Sequence, residues 1–181
     1  MKVEPIDRHE FRRLMRNVPG QVSIVAAGVP GHRRGLTASA ACSLTDVPPT
    51  VIVCVNRTAA AHDLIIDTGA FSINTLAANQ EAIAHAFSGM AGLYGEQRFS
   101  TGEWSVGSTG VPVLASAVCR LECRLTEYRE ASSHTIFIGH VVAGSASADA
   151  TPLLYLRGNY VGLEREGRYT EKAGASCQEE N

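Results

Sequence analysis

The sequence has no excess of charge of either sign. Its 16 basic side chains (lysine and arginine) and 18 acidic ones leave a formal net charge of -2 at pH 7. Such a balance gives no electrostatic support for a nucleic-acid partner or for binding to an anionic membrane. No apolar run approaches the roughly 20 residues that span a bilayer. The first five residues lack the apolar core of a signal peptide, so we expect a cytoplasmic protein.

Cysteine is present but is not arranged for cross-linking or for metal binding. The number of cysteines is odd, and no two of them form a Cys-x-x-Cys pair. This pattern indicates neither a disulfide framework nor a zinc site, and we expect no metal. Two of them share one face of a predicted strand, which is typical of small core residues. The cysteines are Cys42, Cys54, Cys119, Cys123 and Cys177.

The length and composition are those of one globular domain. The chain has 181 residues, of which 45% are hydrophobic and 19% are charged. A chain of this length can bury a substantial core, and this composition is ordinary for a folded protein. We expect a single domain over residues 1–164. The remaining residues, 165–181, are charged and polar, and we expect a flexible tail.

The most informative stretch runs from Gly35 to Arg57. It begins with small residues and hydroxyl side chains, is interrupted by Pro48-Pro49, and ends in an apolar strand. Small side chains on extended backbone allow a flat ligand to approach main-chain N–H groups. An arginine and several hydroxyls at the rim suit a phosphate. The alternative is purely structural, since a bulged edge strand beside a tight loop shows the same pattern.

The spacing of apolar residues predicts two helices around this stretch. Asp7 is placed to cap a helix over residues 6–18, and the apolar residues of that helix recur on one face, which we expect to be buried. Thr58 is placed to cap a second helix that ends at Gly69. The N-terminus of the second helix lies beside Arg57 and favours a bound phosphate. The apolar face of the first helix comprises Phe11, Leu14, Met15 and Val18.

Most of the remaining chain has the pattern of β-strands. Residues 70–76 alternate apolar and polar side chains, as in a half-buried strand, and from residue 113 the chain is predicted to be all strand. Residues 88–110 contain six glycines and little periodicity, and a loop of this length is usually functional or disordered. Antiparallel strands with short helices at their ends predict a mainly β fold, a β-barrel with short helices.

Three segments carry a family resemblance. Gly-Leu-Thr-Ala-Ser-Ala, Ser-Leu-Thr-Asp-Val-Pro-Pro and Val-Cys-Val-Asn-Arg follow one another between residues 35 and 57. In this order they resemble the flavin reductase family, the small reductase components of two-component flavin monooxygenases. The likeness extends from about Phe11 to about Tyr160. It implies an FMN-binding split barrel that forms a homodimer, with the cofactor site near the subunit interface.

The resemblance also implies a set of site residues. Ser132-Ser133-His134 is similar to the family's Gly-x-His pattern, with serine where glycine is usual, and it implies that His134 positions the nicotinamide. Glu96-Gln97-Arg98-Phe99 resembles a Glu-Arg-Phe element but carries an extra Gln97, so Arg98 and Phe99 are not included. The implied flavin contacts are Thr37, Ala38 and Ser39 for the ring and ribityl chain; Ser43, Arg57 and Thr58 for the phosphate; Cys54, Val55 and Asn56 for the pyrimidine side; Asn74 and Thr75; and Tyr160 closing the pocket.

The function implied by the resemblance is reduction of FMN or FAD by NADH or NADPH. Hydride passes from C4 of the dihydronicotinamide to N5 of the flavin, and the reduced flavin is supplied to a partner monooxygenase. Two alternatives stay open. In the first, the chain is a flavin-binding electron carrier or sensor that does not turn over NAD(P)H. In the second, it is a flavin-dependent reductase of another acceptor such as a corrin.

Overall fold

The computed structural model describes residues 4–163. The predicted polar tail, residues 165–181, lies outside the described residues, as does Cys177. Three α-helices are present: α1 (Arg8–Met15), α2 (Ala61–Thr68) and α3 (Glu81–Ser88), with a 3₁₀ helix at Gly95–Ser100. The strands are β1 (Gly20–Gln21), β2 (Ser23–Ala27), β3 (Arg34–Ala38), β4 (Ala41–Asp46), β5 (Pro49–Asn56), β6 (Ala70–Thr75), β7 (Trp104–Val106), β8 (Pro112–Leu114), β9 (Cys119–Ala131), β10 (His134–Ala146), β11 (Leu153–Leu156) and β12 (Asn159–Gly162).

Seven of these strands form one antiparallel sheet in the order β3-β2-β6-β9-β10-β5-β4. The two edge strands, β3 and β4, are joined by only two residues, Ser39 and Ala40. Such a connection spans about 11 Å at most, so the two edges of the sheet must approach each other. The N–H group of Cys54 donates to the carbonyl of Ala40 at 2.9 Å, which extends the pairing of β4 with β5 into this connection. The sheet is therefore rolled, and the expected mainly β split-barrel fold is confirmed.

The side chains of the rolled sheet alternate between its interior and its outer face. Val53 and Val55 of β5 point inward and pack with Phe71, Phe137 and α2 in a fully buried cluster. Burying each of the two phenylalanines contributes about 1.5–3 kcal/mol. A second cluster covers the other side of β2 and β6 with α3, the 3₁₀ helix and β8. Because both faces of β6 are covered, this strand is buried along almost its whole length.

The structure confirms the predicted start of α1 but not the predicted burial of its apolar face. Asp7 accepts hydrogen bonds from the N–H groups of His9 and Glu10, at 2.7 and 2.9 Å, so the cap is as predicted. No residue of α1 is buried, however. The apolar residues of the helix are 46–55% exposed, because α1 lies beside the barrel rather than on it. The exposed residues are Phe11, Leu14, Met15 and Val18.

The second helix starts later than the sequence predicted. It begins at Ala61, after a turn, and Thr58 does not cap it. The side chain of Asn56 instead accepts hydrogen bonds from both the N–H group and the hydroxyl of Thr58, each at 2.9 Å. The C-terminal end is as predicted, since Gly69 ends the helix with a left-handed φ of 63°. The turn before α2 is thus organised by Asn56.

The glycine-rich segment 88–110 is ordered by contacts with the barrel. Its 3₁₀ helix is held by an ion pair between Arg33 and Glu96. The C-terminal end of the segment packs on the buried carboxylate of Glu122. This carboxylate accepts hydrogen bonds from the Ser108 hydroxyl and from the N–H group and hydroxyl of Thr109. Burial opposes ionisation of Glu122, but the hydrogen bonds from Thr109 and Ser108 outweigh it and lower the pKa of this carboxyl.

Replacing this carboxylate is expected to show a stability effect that depends on pH. Glu122→Gln keeps the side-chain shape, and we expect it to cost about 1–3 kcal/mol at neutral pH, because charge-assisted hydrogen bonds are lost. Since the folded pKa is lowered, the stabilisation is complete above the ordinary carboxyl pKa, about 4.3, and is lost as pH falls through the folded value. Urea unfolding at neutral and acidic pH measures this. A difference in unfolding free energy between wild type and variant that widens on acidification would contradict this prediction.

Candidate functional site

A cavity of about 490 Å³ opens between β3, α3 and the β11–β12 hairpin, and we call it the hairpin cavity. Thr37, Ala38 and Ser39 line one wall, and Tyr155 and Tyr160 line the hairpin side. Thr37 faces α3 on this side of the strand, whereas Ala38 also belongs to the buried cluster inside the barrel. The hydroxyl of Thr37 donates to the carbonyl of Ala84 at 2.7 Å, which fixes the wall against α3.

The wall opposite β3 carries a polar cluster. The ring of His85 lies within 3.1 Å of the Glu81 carboxylate and meets the ring of Tyr160 edge-on, with centroids 5.1 Å apart. Burial raises the pKa of Tyr160, with smaller contributions from Tyr155 and Glu81. The phenol therefore stays protonated at neutral pH and remains able to donate a hydrogen bond. This cluster can hold a flat ring that carries hydrogen-bonding edges.

A cleft of about 740 Å³ adjoins the hairpin cavity, and we call it the arginine cleft. Thr37 and Ser88 line both spaces, so the two lie side by side. Arg34 and Arg98 line the cleft, and Asn56 lies on it together with the turn that leads into α2. Within residues 4–163, neither arginine forms an ion pair with a carboxylate. Their charges are available to an anion such as a phosphate.

Several of the residues predicted from the sequence meet at these two spaces. Four of them line the hairpin cavity, and two others line the arginine cleft, which Thr37 borders as well. Their approach follows from the fold, because β3 and the end of β5 lie on the two sides of the seam in the rolled sheet. The hairpin-cavity residues are Thr37, Ala38, Ser39 and Tyr160, and the arginine-cleft residues are Asn56 and Thr58.

Asn74 requires a correction, because its side chain is directed into the protein interior. It is fully buried, and its amide donates to the carbonyl of Ile24 at 3.2 Å and to the hydroxyl of Ser72 at 2.9 Å. Its oxygen accepts from the N–H group of Leu114 at 2.8 Å. All of these partners are protein groups, so Asn74 joins β2, β6 and β8 and does not line either space. Its neighbour Thr75 points to Ser23, with hydroxyls 3.3 Å apart.

The remaining predicted contacts on β4 and β5 are not at either space. Ser43 is exposed on β4, and Val55 is part of the core. Cys54 points to the outer face of the sheet, and its N–H group is already bonded to Ala40. Arg57 forms an ion pair with Glu130, at 3.1 Å, on the exposed β9–β10 hairpin. Sequence order placed these residues near the site, but strand pairing and alternation turn their side chains and N–H groups elsewhere.

His134 opens β10 directly opposite Asn56 of β5, so it lies near the arginine cleft. Its side chain is exposed, and its Nδ1 lies 2.9 Å from the hydroxyl of Ser133. Ser132 adopts a φ of 56°, a left-handed conformation that glycine takes most easily. The carbonyl of Ser133 accepts from the N–H group of Arg57 at 3.0 Å, which ties this turn to the end of β5. The turn thus retains the geometry of a glycine-containing pattern.

Arg98 and Arg34 are the residues that sequence reasoning missed. Arg98 donates to the carbonyls of Leu93, Gly35 and Phe87, at 3.0, 3.1 and 2.9 Å, which anchors it between β3 and α3. The sequence did contain a signal, the Glu-Gln-Arg-Phe element, but the inserted glutamine argued against it. In the 3₁₀ helix the insertion leaves Arg98 facing the cleft.

Known proteins that are similar in sequence and structure point to one family. Residues 15–164 match the family model of the flavin reductase like domain. FMN reductase (NADH) RutF of Pantoea ananatis is 36% identical over 165 residues, which cover 91% of this chain and 86% of that protein. The NADH:FAD oxidoreductase SgcE6 of Streptomyces globisporus, in complex with NAD and FAD fragments, is 30% identical with a TM-score of 0.82, covering 93% and 99% of the two chains.

A third similar protein is BorF, the flavin reductase component of a bacterial two-component tryptophan halogenase. It is 27% identical, with a TM-score of 0.79 over 87% of this chain and 98% of its own. The chain belongs to the flavin reductase family, and the resemblance seen in its motifs is confirmed. It is an enzyme of that family. None of the helices among residues 4–163 has the length and apolar character needed to cross a membrane.

Proposed function

We propose that this protein is an NADH-dependent flavin reductase that accepts FMN. The observation that carries the proposal is that the hairpin cavity and the arginine cleft lie side by side along β3. Together they provide a slot for a flat ring and two unpaired guanidinium groups for a phosphate. The relatives named as FMN reductase (NADH) support FMN and NADH as substrates. FAD is a second acceptor for the assay below.

The chain's own residues have defined tasks in this proposal. Thr37, Ala38 and Ser39 form the wall against which the ring lies, and Tyr160 closes the opposite side. Arg34 and Arg98 hold the phosphate. When bound, the flavin supplies N5 as the hydride acceptor for C4 of the dihydronicotinamide. The protein must hold the two rings close together and exclude water, and no covalent step by a side chain is required.

We also propose that reduced flavin leaves for a partner monooxygenase and that the protein works as a homodimer. The halogenase component BorF, which belongs to a two-component system, supports the first proposal. An apolar patch on the outer face of the sheet supports the second. Ile52, Ile136 and Ile138 are half-buried there, with Cys54 beside them, close to Asn56 at the end of β5. Light scattering on the purified protein should give twice the 19.2 kDa of one chain.

The experiment that tests the proposed activity is NADH oxidation with added flavin. Absorbance of NADH should fall only when FMN, FAD or riboflavin is supplied, and the three acceptors should differ in rate. A reductase of diffusible flavin should purify nearly colourless. A protein that keeps its flavin through purification and does not oxidise NADH would instead be the electron carrier or sensor. Turnover only with a corrin or another acceptor would favour the other alternative.

His134→Ala is expected to weaken the nicotinamide interaction selectively. We expect the KM for NADH to rise about tenfold, the effect of losing roughly 1.4 kcal/mol, while the affinity for FMN changes little. The physical reason is its exposed place at the start of β10, opposite Asn56 at the arginine cleft. Steady-state kinetics and a flavin fluorescence titration measure the two quantities. An unaltered KM for NADH would remove His134 from the site. The matched control is His140→Ala, an exposed histidine on the same strand.

A further inference from the structure

A third depression, of about 970 Å³, lies between α1 and the β11–β12 turn, and we call it the α1 depression. Its lining has a marked charge bias in a chain whose net charge is slightly negative. Among the described residues that line it there are four arginines and a histidine, and no aspartate or glutamate. The basic residues are His9, Arg12, Arg13, Arg16 and Arg157.

Most of this charge is not neutralised by the protein. Arg13 is paired with Glu10 at 2.7 Å. Arg16, in contrast, donates to the carbonyl of Arg157 at 3.0 Å, and Arg157 donates to the side-chain oxygen of Asn17 at 3.1 Å. These partners orient the guanidinium groups and leave their charges in place. No carboxylate in residues 4–163 forms an ion pair with Arg16 or Arg157. Like charges held side by side favour an anionic ligand.

The β11–β12 turn gives a second reason to look for a ligand. Its two turn residues are Arg157 and Gly158, with φ values of 54° and 91°. A hairpin turn with both φ values positive favours asparagine followed by glycine, because asparagine adopts the left-handed region more readily than arginine does. Folding alone would therefore be served better by asparagine at position 157. The arginine at this position ties the turn to Asn17 and also brings a positive charge to the α1 depression.

The α1 depression adjoins the hairpin cavity. Ser39, Tyr155 and Gly158 line both spaces, so a long ligand can cross from one to the other beside Ser39. The inner space suits a flat ring, and the outer one suits phosphate groups. Arginine binds phosphate oxygens with two parallel N–H donors, and several arginines suit a ligand with more than one phosphate.

We propose that the α1 depression binds the pyrophosphate of an adenine dinucleotide, namely NADH. This inference rests on the proposed function, a flavin reductase that uses NADH. FMN has a single phosphate, which the arginine cleft is able to hold, so FMN does not need the α1 depression. The arginines of α1 and of the β11–β12 turn thereby distinguish dinucleotides from mononucleotides.

The test is calorimetric titration with ADP-ribose, a probe with the adenosine pyrophosphate but no redox-active ring. We expect Arg157→Asn and the double variant Arg12→Gln/Arg16→Gln each to weaken ADP-ribose binding at least tenfold. Arg157→Asn is compatible with the turn, so loss of folding does not explain its effect. The matched control is Arg8→Gln, on the same helix but outside the depression. The affinity of this variant for ADP-ribose should stay within twofold of wild type. Riboflavin affinity should not change in any variant.

A further measurement ties the α1 depression to NADH. With FMN as acceptor, a raised KM for NADH in the variants supports the inference, whereas an unchanged KM for NADH would overturn it. Unchanged ADP-ribose affinity in both variants, or no ADP-ribose binding by wild type, would overturn the inference and leave the reductase proposal standing. Arginine-dependent ADP-ribose binding by a protein that oxidises no NADH would support the inference and refute the reductase proposal.

Discussion

Asn74→Ala is expected to destabilise the protein by about 3–5 kcal/mol while leaving the chemistry of the flavin site untouched. The substitution removes an amide that bonds to Ile24, Ser72 and Leu114 in the interior. Each buried partner left without a hydrogen bond costs about 1–3 kcal/mol. Because Leu114 belongs to β8, which covers β6, its unsatisfied N–H group would also loosen that packing. Equilibrium unfolding in urea measures the free energy.

The matched control for this prediction is Asn79→Ala, an exposed asparagine in the turn before α3. We expect it to change stability by less than about 0.5 kcal/mol, as is usual for surface substitutions. The decisive comparison is between stability and FMN affinity measured on the same Asn74 variant. A normal free energy of unfolding together with weakened FMN binding would return Asn74 to the flavin site, as the sequence first indicated.

Ser39→Trp is expected to lower the rate of flavin reduction at least a hundredfold without unfolding the protein. Ser39 is exposed and lines the hairpin cavity, so an indole there occupies the space proposed for the ring. Losing most of the contact with a ring of this size corresponds to about 3 kcal/mol or more of binding free energy. FMN fluorescence titration and NADH oxidation measure the two effects, and thermal unfolding checks the fold.

The control for the tryptophan variant is Ser105→Trp. Ser105 is exposed on β7 and lines neither the hairpin cavity nor the arginine cleft. The substitution adds the same bulky side chain to a surface strand, and we expect the variant's activity to lie within twofold of wild type. If Ser39→Trp bound FMN as tightly as this control does, the ring would lie elsewhere and the β3 wall would have no part in binding.

Local signals in the sequence predicted local structure well. The cap at Asp7 and the end of α2 at Gly69 depend on neighbouring residues only, and the structure has both. The small residues Thr37, Ala38 and Ser39 border the hairpin cavity, and their contact with a ligand stays a prediction. The position of Ser132 shows that a non-glycine residue is able to keep the left-handed turn.

What failed were inferences that depend on distant contacts. The alternation in β6 is typical of a half-exposed strand, but the rolled sheet and β8 cover both faces, and Asn74 is buried as a result. The apolar face of α1 fits a helix on a core, although no part of the described chain covers it. Arg98 reaches the cleft because the 3₁₀ helix accommodates the inserted Gln97. Periodicity along one segment carries no information about which other segment packs on it.

The central claim is that the wall formed by Thr37, Ala38 and Ser39 holds the ring of a flavin. A crystal structure of the protein with FMN tests it most directly. We expect the isoalloxazine in van der Waals contact with this wall and the phosphate within hydrogen-bond distance of Arg34 or Arg98. Electron density for FMN that leaves β3 untouched, with the hairpin cavity filled by the protein's own side chains, would contradict the claim.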